Sequence, residues 1–199
     1  MIRVDKEKIY ESHGYQFKNF INLSLAEKLM ILEWRNSEKV RRMMVNKEII
    51  AQEDHLKFIE GLSNRDDCYY WLVSKSGVNL GVLDLIHVDY DKDEAEMGFY
   101  INPDEAGSGF EFMIECNYFV YALLKLGNNN ITVNVNNKDI LIFNKYIGAV
   151  YEGTEIIGDE VFFVSKHSNG DYIIKHYEEF NLLDYARFVK NNRHLSVTF

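Results

Sequence analysis

The stretch Ala95-Glu-Met-Gly-Phe-Tyr-Ile-Asn-Pro103, continued by Asp104 to Gly109 and by an apolar run from Phe110 to Leu126, decides the fold. Ala95, Met97, Phe99 and Ile101 alternate with Glu94, Glu96, Gly98 and Tyr100, which is the two-residue period of a strand with one apolar and one partly polar face. Gly98 marks a bulge or a place where a ligand comes close, and Pro103 ends the strand. The run after Gly109 is apolar nearly all round, as a buried helix is. Strand, Gly107-Ser108-Gly109 turn and helix in that order suit a pyrophosphate. Glycines let backbone N–H groups approach the anion, and the helix N-terminus carries partial positive charge. Taken alone, a Gly-x-Gly turn is more often plain connection chemistry.

Before this stretch, residues 1 to 14 lack a period and read as a polar lead-in with at most a short helix. Ser24 with Glu27 makes a capping box, and Leu25, Leu29 and Leu32 recur at helical spacing, so a helix runs from Ser24 to Asn36. Ser37 caps a second, short helix through Met44, and Gln52 to Leu62 forms a third. Tyr69 to Ser74, Leu80 to Val88 and Ala95 to Ile101 are rich in β-branched and aromatic residues and form a three-stranded meander. After the buried helix, Gly127 and three asparagines make a stop. Ile131 to Val135 then reads as a strand, Asn137 to Ile147 as a helix, Val150 to Ile157 and Val161 to His167 as strands around Gly158-Asp159, Tyr172 to Tyr177 as a further strand, and Asn181 to Lys190 as a helix.

The 199 residues read as a single domain, 1–199, with a C-terminal extension from about residue 178 that either closes the sheet or mediates a homodimer. A hydrophobic share of 47% against 27% charged residues argues against long disordered stretches. The net charge of −9 disfavours a nucleic-acid footprint, which needs a basic face. Cys68 and Cys116 stand in apolar surroundings without metal-ligand spacing, so reduced buried thiols and no metal are expected. No apolar run reaches the roughly 18 residues of a membrane span. The N-terminus is charged rather than signal-like, and the cytoplasm is the expected location.

The order of elements, the third-strand pattern, and the stretch Asn137-Lys-Asp-Ile-Leu-Ile-Phe-Asn-Lys-Tyr-Ile-Gly148 together resemble the GNAT acetyltransferases over about Gln16 to His167. The resemblance implies an α+β (α/β) fold with a central mixed, mostly antiparallel sheet flanked by helices. It also implies acetyl-CoA as co-substrate. Glu33-Trp-Arg-Asn36, Val40-Arg-Arg-Met-Met44 and His55-Leu-Lys-Phe-Ile59 are similar to the pseudaminic-acid pathway acetyltransferases, which acetylate the 4-amino group of a UDP-linked 4-amino-4,6-dideoxy sugar. Ribosomal-protein N-terminal acetyltransferases share the Trp-Arg-Asn element, and polyamine acetyltransferases share the later strand and loop.

On that resemblance Arg35, Met44 and His55 line a nucleotide-sugar pocket. Phe99, Tyr100 and Ile101 meet the acetyl-pantetheine arm, Gly107, Ser108, Gly109 and Phe110 the pyrophosphate, and Asn137 and Asn144 the cofactor from the next helix. Arg35 suits a diphosphate because its fork donates two hydrogen bonds; the competing role is service to local carboxylates or to the helix end. His55 has a structural alternative, and Trp34 reads as core. Two positions depart from the family. Asp104 stands where a fuller motif has Arg or Gln, and Asn144 where a Tyr usually protonates the departing thiolate. An amide donates a hydrogen bond but has no titratable proton. Tyr146, two positions on, turns about 200° away on a helix. The attacking amine must be neutral, and Glu96 and Asp84 are the candidate bases, with His87 third. Direct transfer through a tetrahedral intermediate is the implied reaction. An N-terminal or polyamine acceptor, or a GNAT-like binding protein without catalysis, are the alternatives.

Overall fold

The computed structural model describes residues 1–104, 109–165 and 169–192. Strands β1 (Tyr10–Ser12) and β2 (Tyr15–Asn19) form a hairpin, where the sequence suggested only a lead-in. Its two-residue turn is His13-Gly14, both with positive φ, the geometry that matches the twist of paired strands. Helix α1 (Leu25–Asn36) starts on the expected capping box: Ser24 Oγ accepts from the Glu27 N–H, and the Glu27 carboxylate accepts from the Ser24 N–H. Helix α2 (Glu38–Arg41) is one turn, shorter than expected, and α3 (Gln52–Gly61) follows.

The meander is β3 (Tyr69–Lys75), β4 (Val78–Asp89) and β5 (Glu94–Ile101). Helix α4 (Phe110–Tyr118) runs on through a π turn over Phe119–Leu123, so the buried apolar run is one continuous rod. Then come β6 (Asn128–Asn134), α5 (Lys138–Tyr146), β7 (Gly153–Ile157), β8 (Glu160–Ser165), α6 (Gly170–His176) and α7 (Leu182–Asn192). The expected strand at Tyr172 to Tyr177 is thus a helix. Its β-branched and aromatic content suggested a strand, but Ile173 turns inward while Tyr172 and Ile174 stay exposed, and Gly170 packs against the Tyr121 ring of the rod.

Among the described residues the sheet has eight strands in the order β1-β2-β3-β4-β5-β6-β8-β7, antiparallel throughout except where β5 meets β6. One face packs on α4 through Phe17, Trp71, Leu83, Leu85 and Phe119. The other is covered by α1 and α3 around Ile31, Trp34, Ile59 and Leu72. Both cysteines are free and buried, and burial pushes their thiols up. No helix among the described residues is long and apolar enough to cross a membrane.

Candidate active site

Strands β5 and β6 pair only over Glu94–Glu96 with Asn128–Asn130. Past Glu96 the next N–H, that of Met97, is taken by the side chain of Asn129 at 2.9 Å. From Ile131 onward β6 pairs instead with β8. The two parallel strands therefore splay into a wedge with Asn129, fully buried, at its apex. Because Met97 sends its N–H toward β6, the two-residue alternation sends the N–H groups of Phe99 and Ile101 the same way. Asn102, out of phase, donates to Leu80 on β4 at 2.8 Å. The wedge thus presents strand donors to a gap, and such groups need a partner.

The gap belongs to a cavity of about 880 Å³ that continues to the α1–α3 side of the sheet. Phe99, Ile101, Asn137 and Asn144 line it on one side, and Tyr100, Arg35, Met44 and His55 on the other. Asp84 lines it in the middle, set by the registers Tyr70↔Asp84 and Asp84↔Gly98. A Cβ at Gly98 would stand 2.8 Å from Asp84 Oδ1, so the glycine makes room for this carboxylate. There is no bulge at Gly98: the ladder is regular from Leu83↔Phe99 to Leu85↔Met97 and slips only between Ile86 and Asp89. Burial, with a smaller push from the nearby Glu96, raises Asp84 to about 7. A carboxyl that titrates near neutrality is suited to take a proton from an amine. Glu96 is instead bonded to the exposed His87 at 3.3 Å, and neither lines the cavity.

Each residue of Trp34-Arg35-Asn36 has its own task. Trp34 is core. Asn36 exchanges two 2.9 Å hydrogen bonds with the backbone of Ile50 and so fixes the segment that carries Met44. Arg35 donates Nη2 to the Asn46 carbonyl at 2.7 Å, while its buried Nη1 has no partner among the described residues. The buried Nε of Arg41 is likewise unpartnered there, although Nη1 reaches the Lys47 carbonyl. Burial lowers the Arg35 guanidinium from its ordinary value. His55 Nε2 donates to the Lys28 carbonyl at 2.9 Å, which ties α3 to α1, and burial lowers its pKa and favours the neutral ring. It is a structural clamp whose ring also lines the cavity.

Asn137 is the N-cap of α5, accepting from the Ile140 N–H. Asn144, 6% exposed, donates Nδ2 to the hydroxyl of Tyr151 at 2.9 Å. Tyr146 points away from it, against Phe110, Tyr185 and Phe188. Gly109 is left-handed at φ 63, and a Cβ there would meet Ile101 Cδ1 at 2.1 Å. Phe110 starts α4 with its ring buried and stacked on Tyr185, so its side chain is core. Gly107 and Ser108 lie outside the described residues. Asp104 is exposed.

No family model matches the chain. Over 138 residues it is 28% identical to the acetyltransferase PseH of Campylobacter jejuni subsp. jejuni serotype O:2, covering 69% of this chain and 86% of that one. The PseH of a serotype O:23/36 strain is 29% identical over 126 residues, or 63% of this chain and 78% of that one. The chain is similar in sequence to the acetyltransferase PseH and has the GNAT fold. The solved structure of Campylobacter jejuni PseH in complex with acetyl coenzyme A superposes at TM-score 0.60 with 23% identity, over 77% of this chain and 99% of that one. Spermidine N-acetyltransferase from Vibrio cholerae, in complex with CoA and spermine, superposes at TM-score 0.65 with 18% identity, over 80% and 99%. This chain is therefore longer than either solved neighbour.

Within it, the structure brings Arg35, Met44, His55, Asp84, Phe99, Tyr100, Ile101, Asn137 and Asn144 to one cavity, and leaves Glu96 and the Phe110 ring outside. Sequence reasoning missed Asn129 and Tyr151. The first sits in a run of three identical asparagines, and the second is set against Asn144 only by the turn at Gly148 (φ 82).

Proposed function

We propose that the protein transfers the acetyl group of acetyl-CoA to the amino group of a nucleotide-linked 4-amino-6-deoxy sugar. The carrying observation is the wedge between β5 and β6, which offers the Phe99 and Ile101 N–H groups to an extended amide-bearing arm and opens directly onto Asp84. When bound there, acetyl-CoA supplies an activated acyl group as a thioester. The Phe99 strand donors would stabilise the oxyanion that develops at its carbonyl, and Asp84 would accept the amine's proton.

The choice of acceptor rests on charge. Arg35 lines the acceptor side with an unspent guanidinium donor, and Lys39, donating to the Pro103 carbonyl at 2.7 Å, lines the same cavity. A half-buried guanidinium with a buried free donor, beside an exposed ammonium, favours a diphosphate over a polycation. The name of the relatives, acetyltransferase PseH, accords with acetyl transfer. The test is acetyl-CoA-dependent thiol release across UDP- and dTDP-linked 4-amino-6-deoxy sugars, spermidine and N-terminal peptides. A clear preference for spermidine or a peptide overturns the acceptor assignment. Binding of acetyl-CoA without turnover on any amine overturns catalysis.

A further inference from the structure

The backbone donors of β5 that face the wedge, those of Met97, Phe99 and Ile101, follow one another at about 6.8 Å along the strand. In the acetyl-transfer reading the cofactor arm has a direction along them. Its pyrophosphate end belongs at the glycine turn, and Gly109 packs against Ile101. Its acyl end therefore lies at the apex, beside Met97. Asp84 meets the strand at the same level, against Gly98.

At that level the series of backbone donors is broken, because the Met97 N–H is taken by Asn129 Oδ1 at 2.9 Å. Only the oxygen of the amide can accept from an N–H, so this bond also fixes which end of the side chain is Nδ2. Nδ2 is buried and has no partner among the described residues, and Asn129 lines the cavity. Two other buried side-chain amides line the same cavity, and both have Nδ2 engaged. Asn117 donates to the Met113 carbonyl at 2.9 Å, and Asn144 to the Tyr151 hydroxyl at 2.9 Å. A buried donor is costly to leave unpaired, and the one at the apex is the one left over. The amide receives the Met97 N–H at its oxygen and offers a new donor at its nitrogen, and a hydrogen bond accepted at one end polarises the other.

We infer that Asn129 Nδ2 donates to the carbonyl oxygen of the acetyl thioester and to the oxyanion that forms there, as a catalytic residue. The inference rests on the acetyl-transfer reading above. In the step, the amine nitrogen bonds to the carbonyl carbon and the C=O π pair moves onto oxygen, between the Phe99 N–H and Asn129 Nδ2. The amine's proton goes to Asp84 on the acceptor side. The oxygen pair then re-forms C=O, and the C–S bond breaks with its pair on sulfur, releasing CoA as the thiolate. Asn129 gives up no proton and acts as a fixed dipole.

The test is Asn129→Asp, which keeps the side-chain shape and an oxygen for the Met97 N–H but replaces the free donor by an acceptor. CoA, which lacks the acetyl carbonyl, is the control ligand. By calorimetry the variant should bind acetyl-CoA about tenfold more weakly, with CoA held within about twofold. The stretch of an isotope-labelled acetyl carbonyl in bound acetyl-CoA, read by infrared difference spectroscopy, should lie higher in the variant than in wild type, because the hydrogen bond that weakens C=O is gone. Turnover should fall about 10²- to 10³-fold in kcat. Asn129→Thr, which also keeps an oxygen for Met97 but is shorter, takes its place with the same expectations if Asn129→Asp does not fold. Equal weakening of CoA and acetyl-CoA, or an unmoved carbonyl band, overturns the inference and leaves acetyl transfer standing. Binding and infrared readouts need no acceptor, so they decide the matter even for a wild type that binds acetyl-CoA and turns over no sugar. A wild type that binds neither ligand overturns both readings.

Discussion

At the residue scale, Asp84 combines function with a stability cost, and the two have opposite pH signs. Its folded pKa of about 7 lies well above the ordinary carboxyl value near 4. Below that ordinary value both states are protonated and nothing is lost. Between about 4 and 7 the unfolded chain has released this proton and the folded chain has not, so stability falls as pH rises, and the penalty persists above 7. Asp84→Asn is therefore expected to be more stable than wild type at pH 8 by up to about 4 kcal/mol, less whatever cavity water screens, and equal to it near pH 3. Denaturant melts at the two pH values check this. The same variant should lose about 10²- to 10⁴-fold in kcat/KM along with the acid limb near pH 7. Gly98→Ala would push a methyl to 2.8 Å from Oδ1 and turn the carboxylate aside. It should lower kcat by about tenfold with acetyl-CoA binding kept, read by calorimetry beside initial rates. That Gly98 mattered was legible in the sequence. Its reason was not, because the partner is a side chain fourteen residues away on the neighbouring strand.

At the scale of elements, what the sequence told depended on whether a segment's periodicity was long enough to be decisive. The α1 capping box, the meander, the buried rod and the α5 helix are all carried by local pattern. The β1–β2 hairpin is not, because its strands of three and five residues are too short for a period to show and its turn holds His13 in a conformation that favours glycine. The wedge was also hidden, since it depends on β6 exchanging β5 for β8 as a partner. Asn129 is the hinge of that exchange: its Oδ1 satisfies the Met97 N–H, while its Nδ2 is buried without a partner among the described residues. Asn129→Leu would leave the Met97 N–H unsatisfied at about 1–3 kcal/mol. The expected outcome is a lowered melting temperature together with weaker acetyl-CoA binding. A drop in stability with binding untouched would show that the apex does not shape the donor site.

At the scale of the whole molecule, the segment beyond the family resemblance is built into the core. Glu115 of α4 is 1% exposed, and its carboxylate accepts from the Tyr177 hydroxyl at 2.5 Å. It also meets His13 Nδ1 of the N-terminal hairpin turn at 3.1 Å, and the His13 ring stacks on Tyr177 with centroids 4.4 Å apart. One buried carboxyl group therefore joins the hairpin, the central rod and the C-terminal segment. Farther on, Tyr185 of α7 stacks on Phe110 at 4.7 Å, covering the start of the rod, and Tyr146 and Phe188 close the cluster. Removing one partner of a buried hydrogen bond leaves an unsatisfied group. Tyr177→Phe keeps the ring but takes away the donor, and should cost about 1.5–3 kcal/mol with kcat and KM near wild type. Ending the chain at residue 169 removes both contacts at once and exposes Phe110, Phe143 and Tyr146. This truncated chain should unfold or aggregate at temperatures where Tyr177→Phe stays folded, as read by thermal melts and size-exclusion chromatography. A soluble truncated chain with wild-type melting would mean that the α4 rod and α5 close the core without α6 and α7, leaving the extension free for a role other than stability.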